Sequence, residues 1–225
     1  IKAKKIGKLP KAIIVVHLGG LPVDPIELKK LSKRFRFKII EDAAHSLGSK
    51  YFGEKVGSCK WSDICVFSFH PVKIITSAEG GCVTTNNKEF FENMKLTRNN
   101  GITKEIKKFK NKNLGGWYYE QHSLGFNFRM NEIQAALGLN QLKKLKLFVK
   151  KRNIIAKIYR NRLKKFPLYF QENSKNFLSS YHLFIIKVKN KKNHKILFNY
   201  LRKNKIFVNL HYLPIHLHPF YRSLG

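Results

Sequence analysis

KAIIVVHLGGLPVDPIELKKLSKRFRFKIIEDAAHS, residues 11–46, decides the fold. KAIIVVHL, residues 11–18, is short, apolar and rich in β-branched side chains, which suits a buried strand. GGLPVD follows as a turn. Asp24-Pro25-Ile26-Glu27 then carries the marks of a helix start: an Asp cap, Pro at the first helical position and an acid in the first turn. The helix runs through LKKLSKRF, and FKII, residues 37–40, is a second strand. Strand, helix and strand within about 30 residues make a βαβ unit, so the strands run parallel with a right-handed crossover. EDAAHS therefore falls at the carboxyl end of the second strand, where open α/β sheets bind ligands.

Further along, DICVFSF (residues 63–69) reads as a strand, HPVKIITSAEGG as a loop, CVTTN as a returning strand and NKEFFENMKLTRNN as a helix. Residues 101–124 form a long polar and aromatic connection, and such loops are often functional. Asn131 and Gln134 make a capping pair for a long helix. Its apolar residues, from Met130 and Ile133 through Val149, Ile155 and Tyr159, keep helical spacing to about Leu163. After Pro167, YHLFIIKV reads as a strand, NHKILFNYLRKN as a helix and KIFVNLHYL as a strand. We expect an α/β protein: part of a large domain with a mostly parallel sheet over residues 1–145, and part of a small α+β domain over residues 146–225. The chain opens on Ile1 and stops at RSLG, so we expect a fragment cut at both ends.

Composition narrows the function. The chain has 225 residues, 43% of them apolar, enough for a real core. The net charge of +32 suggests nucleic acid, but its distribution does not. Residues 41–92 hold 5 Lys/Arg against 7 acids, while residues 93–225 hold 29 against 4. The excess sits in solvated text such as KEIKKFKNKN, so no nucleic-acid partner is expected. No run approaches the roughly 18 apolar residues of a membrane span. Cys59, Cys65 and Cys82 lack metal or disulfide spacing and read as reduced cytoplasmic thiols. His211, His216 and His218 have no interleaved carboxylate or cysteine, so no metal is expected.

The chemistry-bearing residues stand near strand ends. Asp42 is either a helix cap or a carboxylate held at the sheet rim, where it could neutralise a cationic ring nitrogen lying against the flat Ala43-Ala44 surface. His45, three residues on, is a structural histidine or a ring contact. Lys73 is one of 45 cations or a nucleophilic amine, and FSFHPVKII gives it an apolar setting that most lysines here lack. Ser68 alternates with Phe67 and Phe69 and faces the other side of its strand, as an ordinary strand serine or as a phosphate ligand. Asn127 in GFNFR is, taken alone, a loop asparagine.

Taken together, EDAAHSLGS, GSCKWSDICVFSFHPVKIITSAEGGCVTTNN and GFNFRMNEIQAALGLNQLKKL resemble the DegT/DnrJ/EryC1/StrS sugar aminotransferases over essentially the whole chain. The WYYEQ loop, NGITKE and HYLPIHLHPFYR are similar to the branch that serves pseudaminic acid synthesis. The resemblance implies a transferase of fold type I, dependent on pyridoxal 5'-phosphate and working as a homodimer with a shared site. Lys73 would be the Schiff-base lysine and Asp42 the partner of the pyridinium nitrogen. Ala44 and His45 would contact the ring, Ser68 would bind the phosphate, and Asn127 would reach the phosphate of the other subunit's cofactor. The implied reaction is ping-pong: glutamate gives its amino group, which passes to the C4 ketone of a UDP-linked 4-keto-6-deoxy sugar. Another nucleotide keto-sugar, as in perosamine synthesis, or a catalytically inert fragment of the fold, are the alternatives. His45 stands where many members have Gln, Ala78 replaces a Gly before EGG, and Asn100 stands where RSHG-like members have His. The family's N-terminal third, with a phosphate-binding turn and a stacking aromatic, has no counterpart here.

Overall fold

A computed structural model describes residues 2–111, 115–172 and 174–224. The βαβ expectation holds. Ala12–Val16 and Lys38–Asp42 pair in parallel, with Val16 level with Asp42. Helix Pro25–Phe35 lies between them in sequence. The Asp24 carboxylate accepts from the Ile26 N–H at 2.9 Å, and Pro25 occupies the first turn without wasting a donor. Arg36 stops the helix in a left-handed conformation, φ 59°, its N–H returning to the Ser32 carbonyl.

Ile64–Ser68 adds a third parallel strand beside Lys38–Asp42, and Gly81–Thr84 closes the sheet antiparallel to it. Asp42 lies level with Val66, and Ser68 with Gly81. The carboxyl ends of three parallel strands thus share one sheet edge. Strand alternation sorts the side chains. Ile39, Glu41, Cys65 and Phe67 are buried on one face. Cys65 and Phe67 pack there with Ala43, Tyr51, Val56 and Cys59. Each large apolar chain buried there contributes about 1.5–3 kcal/mol. By the same register, Ile14, Val16, Asp42, Val66, Ser68 and Val83 belong to the opposite face.

Two sequence expectations need correction. The long helix is two, Glu132–Lys143 and Leu145–Leu163. The Lys144 N–H turns back to the carbonyls of Gln141 and Leu142, a tight turn that ends the first helix. One non-helical residue barely disturbs the spacing of apolar side chains, so periodicity passes over it. The capping pair is present in full: Asn131 accepts from the Gln134 N–H and Gln134 from the Asn131 N–H. KIFVNLHYL, residues 205–213, forms no strand. The partner of Ile186–Val188 is instead Leu168–Phe170, antiparallel. An apolar run becomes a strand only where a neighbour takes its main-chain hydrogen bonds.

The chain divides into two compact units, residues 1–161 with 171–185, and residues 162–170 with 186–225. This differs from the expected boundary at 145/146. Helix Leu145–Leu163 carries Val149 into a core with Ile74 and Ile75, so most of that helix belongs to the first unit. The second unit holds the Leu168–Phe170 and Ile186–Val188 ribbon and helix Asn193–Lys203.

Candidate active site

Asp42 is the last residue of its strand and is half-buried. Its Oδ1 accepts from the Ala44 N–H at 3.1 Å, and its carbonyl accepts from the His17 N–H. This turn after the strand fixes the carboxylate at the rim. Ala43 is fully buried beneath it, its N–H bound to the Val66 carbonyl. Ala44 is half-buried.

Directly before Asp42, Glu41 points into the core, where an unpaired carboxylate would be costly. His17 Nε2 lies 3.2 Å from Glu41 Oε2, and the Tyr51 hydroxyl donates to Oε1 at 3.0 Å. Val23 N–H donates to His17 Nδ1, which leaves Nε2 to carry the proton toward Glu41. Burial pushes the Glu41 pKa up, but its bonds with His17 and Tyr51 outweigh that and hold it below the usual range. Burial and the Glu41 charge push the Tyr51 phenol and the Cys65 thiol up. The strand that presents Asp42 is thus pinned by a buried, satisfied carboxylate one residue earlier. Its signal in the sequence was an acid in a strand of Ile residues.

Ser68 ends the neighbouring strand on the same sheet face as Asp42, and its Oγ accepts from the His70 N–H at 3.4 Å. The loop that leaves it is tied back on itself. Phe69 donates to the Gly80 carbonyl, while Ser77 N–H and Thr76 Oγ1 both donate to the Phe69 carbonyl. Lys73 N–H bonds to the His70 carbonyl. Val72 before it is exposed, and Ile74 and Ile75 after it are buried. Lys73 itself is half-buried, its main chain anchored by the two isoleucines. Gly80 and Gly81 close the loop where a Cβ would strike Ser77 and Met130, and the Phe67 carbonyl.

Asp42, Ser68 and the loop bearing Lys73 therefore gather at one sheet edge. Asn127 is held elsewhere in the first unit. It bridges Asn99 at the end of helix Lys88–Arg98, with Phe126 and Phe128 bonded to Thr97 and Arg98, and it is exposed.

His45 is buried at the same edge. Its Nδ1 accepts from the Gly19 N–H at 3.3 Å and its ring lies 4.4 Å from that of His182. His182 carries no local sequence signal, because no short-range pattern joins it to His45. The long connection also hides a centre, Glu120. It accepts from the N–H groups of Lys110 and Asn111 and from the Tyr118 hydroxyl, and it meets His122 Nε2 at 2.6 Å. The Asn111 N–H, then His122, hold its pKa down to about 2.

Residues 2–225 match the model of the DegT/DnrJ/EryC1/StrS aminotransferase family. The chain belongs to this family. An altrosamine transaminase of Campylobacter jejuni, named for UDP-4-amino-4,6-dideoxy-N-acetyl-beta-L-altrosamine, is 39% identical over 95% of this chain and 54% of its own length. Among solved structures of the family, Helicobacter pylori PseC, described as an aminotransferase in pseudoaminic acid biosynthesis, superposes with a TM-score of 0.84 at 38% identity. That match covers 95% of this chain and 56% of PseC. Spr1654 of Streptococcus pneumoniae, solved in a PMP-form, superposes with a TM-score of 0.83 at 29% identity over 96% of this chain and 59% of its own. The α/β architecture is that of the aminotransferases. The chain spans about half the length of the curated relatives it matches.

Proposed function

We propose that the protein is a pyridoxal-phosphate-dependent aminotransferase that moves the amino group of glutamate to the C4 keto carbon of a UDP-linked 4-keto-6-deoxy sugar. Pseudaminic acid or another surface glycan would be its purpose, and a cytoplasmic homodimer its working form. One observation carries the reading. A carboxylate, a hydroxyl and the loop that bears Lys73 lie at the edge where three parallel strands end, in a chain that belongs to the sugar aminotransferases.

The donor set fits the cofactor. Ala44, half-buried, leaves a low side chain just after the Asp42 carboxylate, and Ser68 shares the sheet face of Asp42. Asp42 would hold a proton on the ring nitrogen, and Ser68 would donate to the phosphate. Asn127, supplied by a second copy, would donate to the phosphate as well. Bound there, the cofactor supplies an electron sink for the carbon that loses its proton. Lys73 would hold the cofactor covalently at rest. In turnover its free amine would take the α-proton of glutamate and later return a proton at the sugar carbon. A positioned base of this kind is worth about 10²–10⁴-fold. No helix among the described residues is long and apolar enough to cross a membrane.

The test is transamination by the protein as the cell makes it, with glutamate against a panel of UDP- and dTDP-linked 4-keto sugars. Turnover of a UDP-linked 4-keto-6-deoxy sugar, lost in Lys73→Ala, is expected. Absence of turnover on every sugar would overturn the reading.

A further inference from the structure

We propose that His182 is a positioning residue for His45, fixing the plane of the imidazole at the cofactor edge. The inference rests on the proposed function, in which the His45 ring faces the cofactor. Its physical basis is a densely built contact inside the first unit. The segment Ser179–His182 returns to the sheet edge from far along the chain. Ser179 and Ser180 are fully buried there. Ser180 Oγ donates to the His45 carbonyl at 2.8 Å, and Ser180 N–H reaches Ser49 Oγ at 2.9 Å. Arg152 donates to the carbonyls of both Tyr181 and His182, and Asn153 to that of Ser179.

Tyr181 is held at φ 46°, an outlier for a bulky side chain. Its N–H is bound to Ser179 Oγ. Strain retained by surrounding bonds usually serves to aim something, and the next residue is His182. Its ring lies 4.4 Å from the His45 ring, tilted by 42°. Gly20 permits the approach, since a Cβ there would stand 2.5 Å from Ser180 Oγ, 2.8 Å from the His45 main-chain carbonyl and 3.0 Å from the His182 main-chain nitrogen. On its other side, His45 Nδ1 accepts from Gly19 N–H, which places the ring proton on Nε2. His45 is thus clamped between a main-chain donor and a second ring.

His182→Ala and His182→Phe test this in two readouts. In the cofactor-free protein, NMR relaxation of the His45 ring Cδ2–H should show a rigid ring in the wild type and in His182→Phe, protonated at Nε2 throughout because the Gly19 N–H keeps Nδ1 an acceptor. In His182→Ala the ring should become mobile on the ps–ns timescale. In the loaded enzyme, His182→Ala should lower kcat by about 10- to 100-fold and leave KM for the sugar nucleotide within about twofold, because misplacing a group costs rate more than binding. His182→Phe should recover most of kcat. A His45 ring as rigid in His182→Ala as in the wild type, or a His182→Phe protein as impaired as His182→Ala, would overturn the proposal. A wild type with no cofactor absorbance would overturn the proposed function instead, and the NMR comparison would still decide the role of His182.

Discussion

Asp42 and Glu41 are adjacent carboxylates with opposite duties, and the strand's alternation assigns them. Glu41 turns inward to His17 and Tyr51, and Asp42 stays half-buried at the rim. Glu41→Gln should destabilise the fold by about 1–3 kcal/mol, measured by urea unfolding, since a buried bonding set is broken. The pH dependence has a definite sign. The Glu41 pKa is lower in the folded protein than in the unfolded one. Its stabilising contribution is therefore full above the ordinary carboxylate pKa of about 4.3 and disappears as pH falls through the folded value. Urea midpoints should drop between pH 5 and more acid conditions in the wild type by more than in Glu41→Gln. Asp42→Asn should leave the urea midpoint nearly unchanged yet lower kcat by on the order of 10²-fold, as loss of one aimed electrostatic group does. A fall in stability without a fall in rate would place Asp42 among structural caps.

Turns and caps decide the elements around the site. Gly20→Ala should cost about 1–3 kcal/mol, because φ 97° and the crowding by Ser180 and the His45 carbonyl both penalise a side chain. Thermal melting measures it, and an unchanged midpoint would remove the close approach on which His182 depends. Glu120 organises the connection 101–124 through two main-chain donors, Tyr118 and His122. Glu120→Gln should speed amide exchange at Lys110 and Asn111 well above the rest of the loop, and equal rates would deny Glu120 that role. The local signals here were legible in the sequence: Asp24-Pro25 and the Asn131/Gln134 pair are short-range chemistry, and the structure places both as caps. What was not legible is long-range. The break at Lys144 leaves the apolar spacing almost intact. KIFVNLHYL has strand composition but no pairing neighbour, and the His45–His182 contact joins segments with no common motif. Asp42, Ser68 and the loop of Lys73 could be located in the sequence because each lies at or just after a strand end; Asn127 has no such strand end beside it, and its bridge to Asn99 is a long-range contact.

At the scale of the molecule, the two sheet faces differ. One is packed, while the face of Asp42 and Ser68 shows Ile14 at 65%, Val16 at 48% and Val83 at 45% exposure. Sheets with parallel strands are normally covered on both sides. The relatives are nearly twice as long as this chain. The 225-residue chain by itself should therefore bind a hydrophobic dye strongly, and weak binding would mean that this face is shielded within the chain. The central claim concerns one lysine among 45 Lys and Arg residues. Its most direct measurement is borohydride reduction of the intact protein with pyridoxal phosphate, followed by peptide mass mapping. A reduced pyridoxyl group confined to the Lys73 peptide is the predicted result; no adduct, or one spread over surface lysines with Lys73 unmodified, would contradict the account.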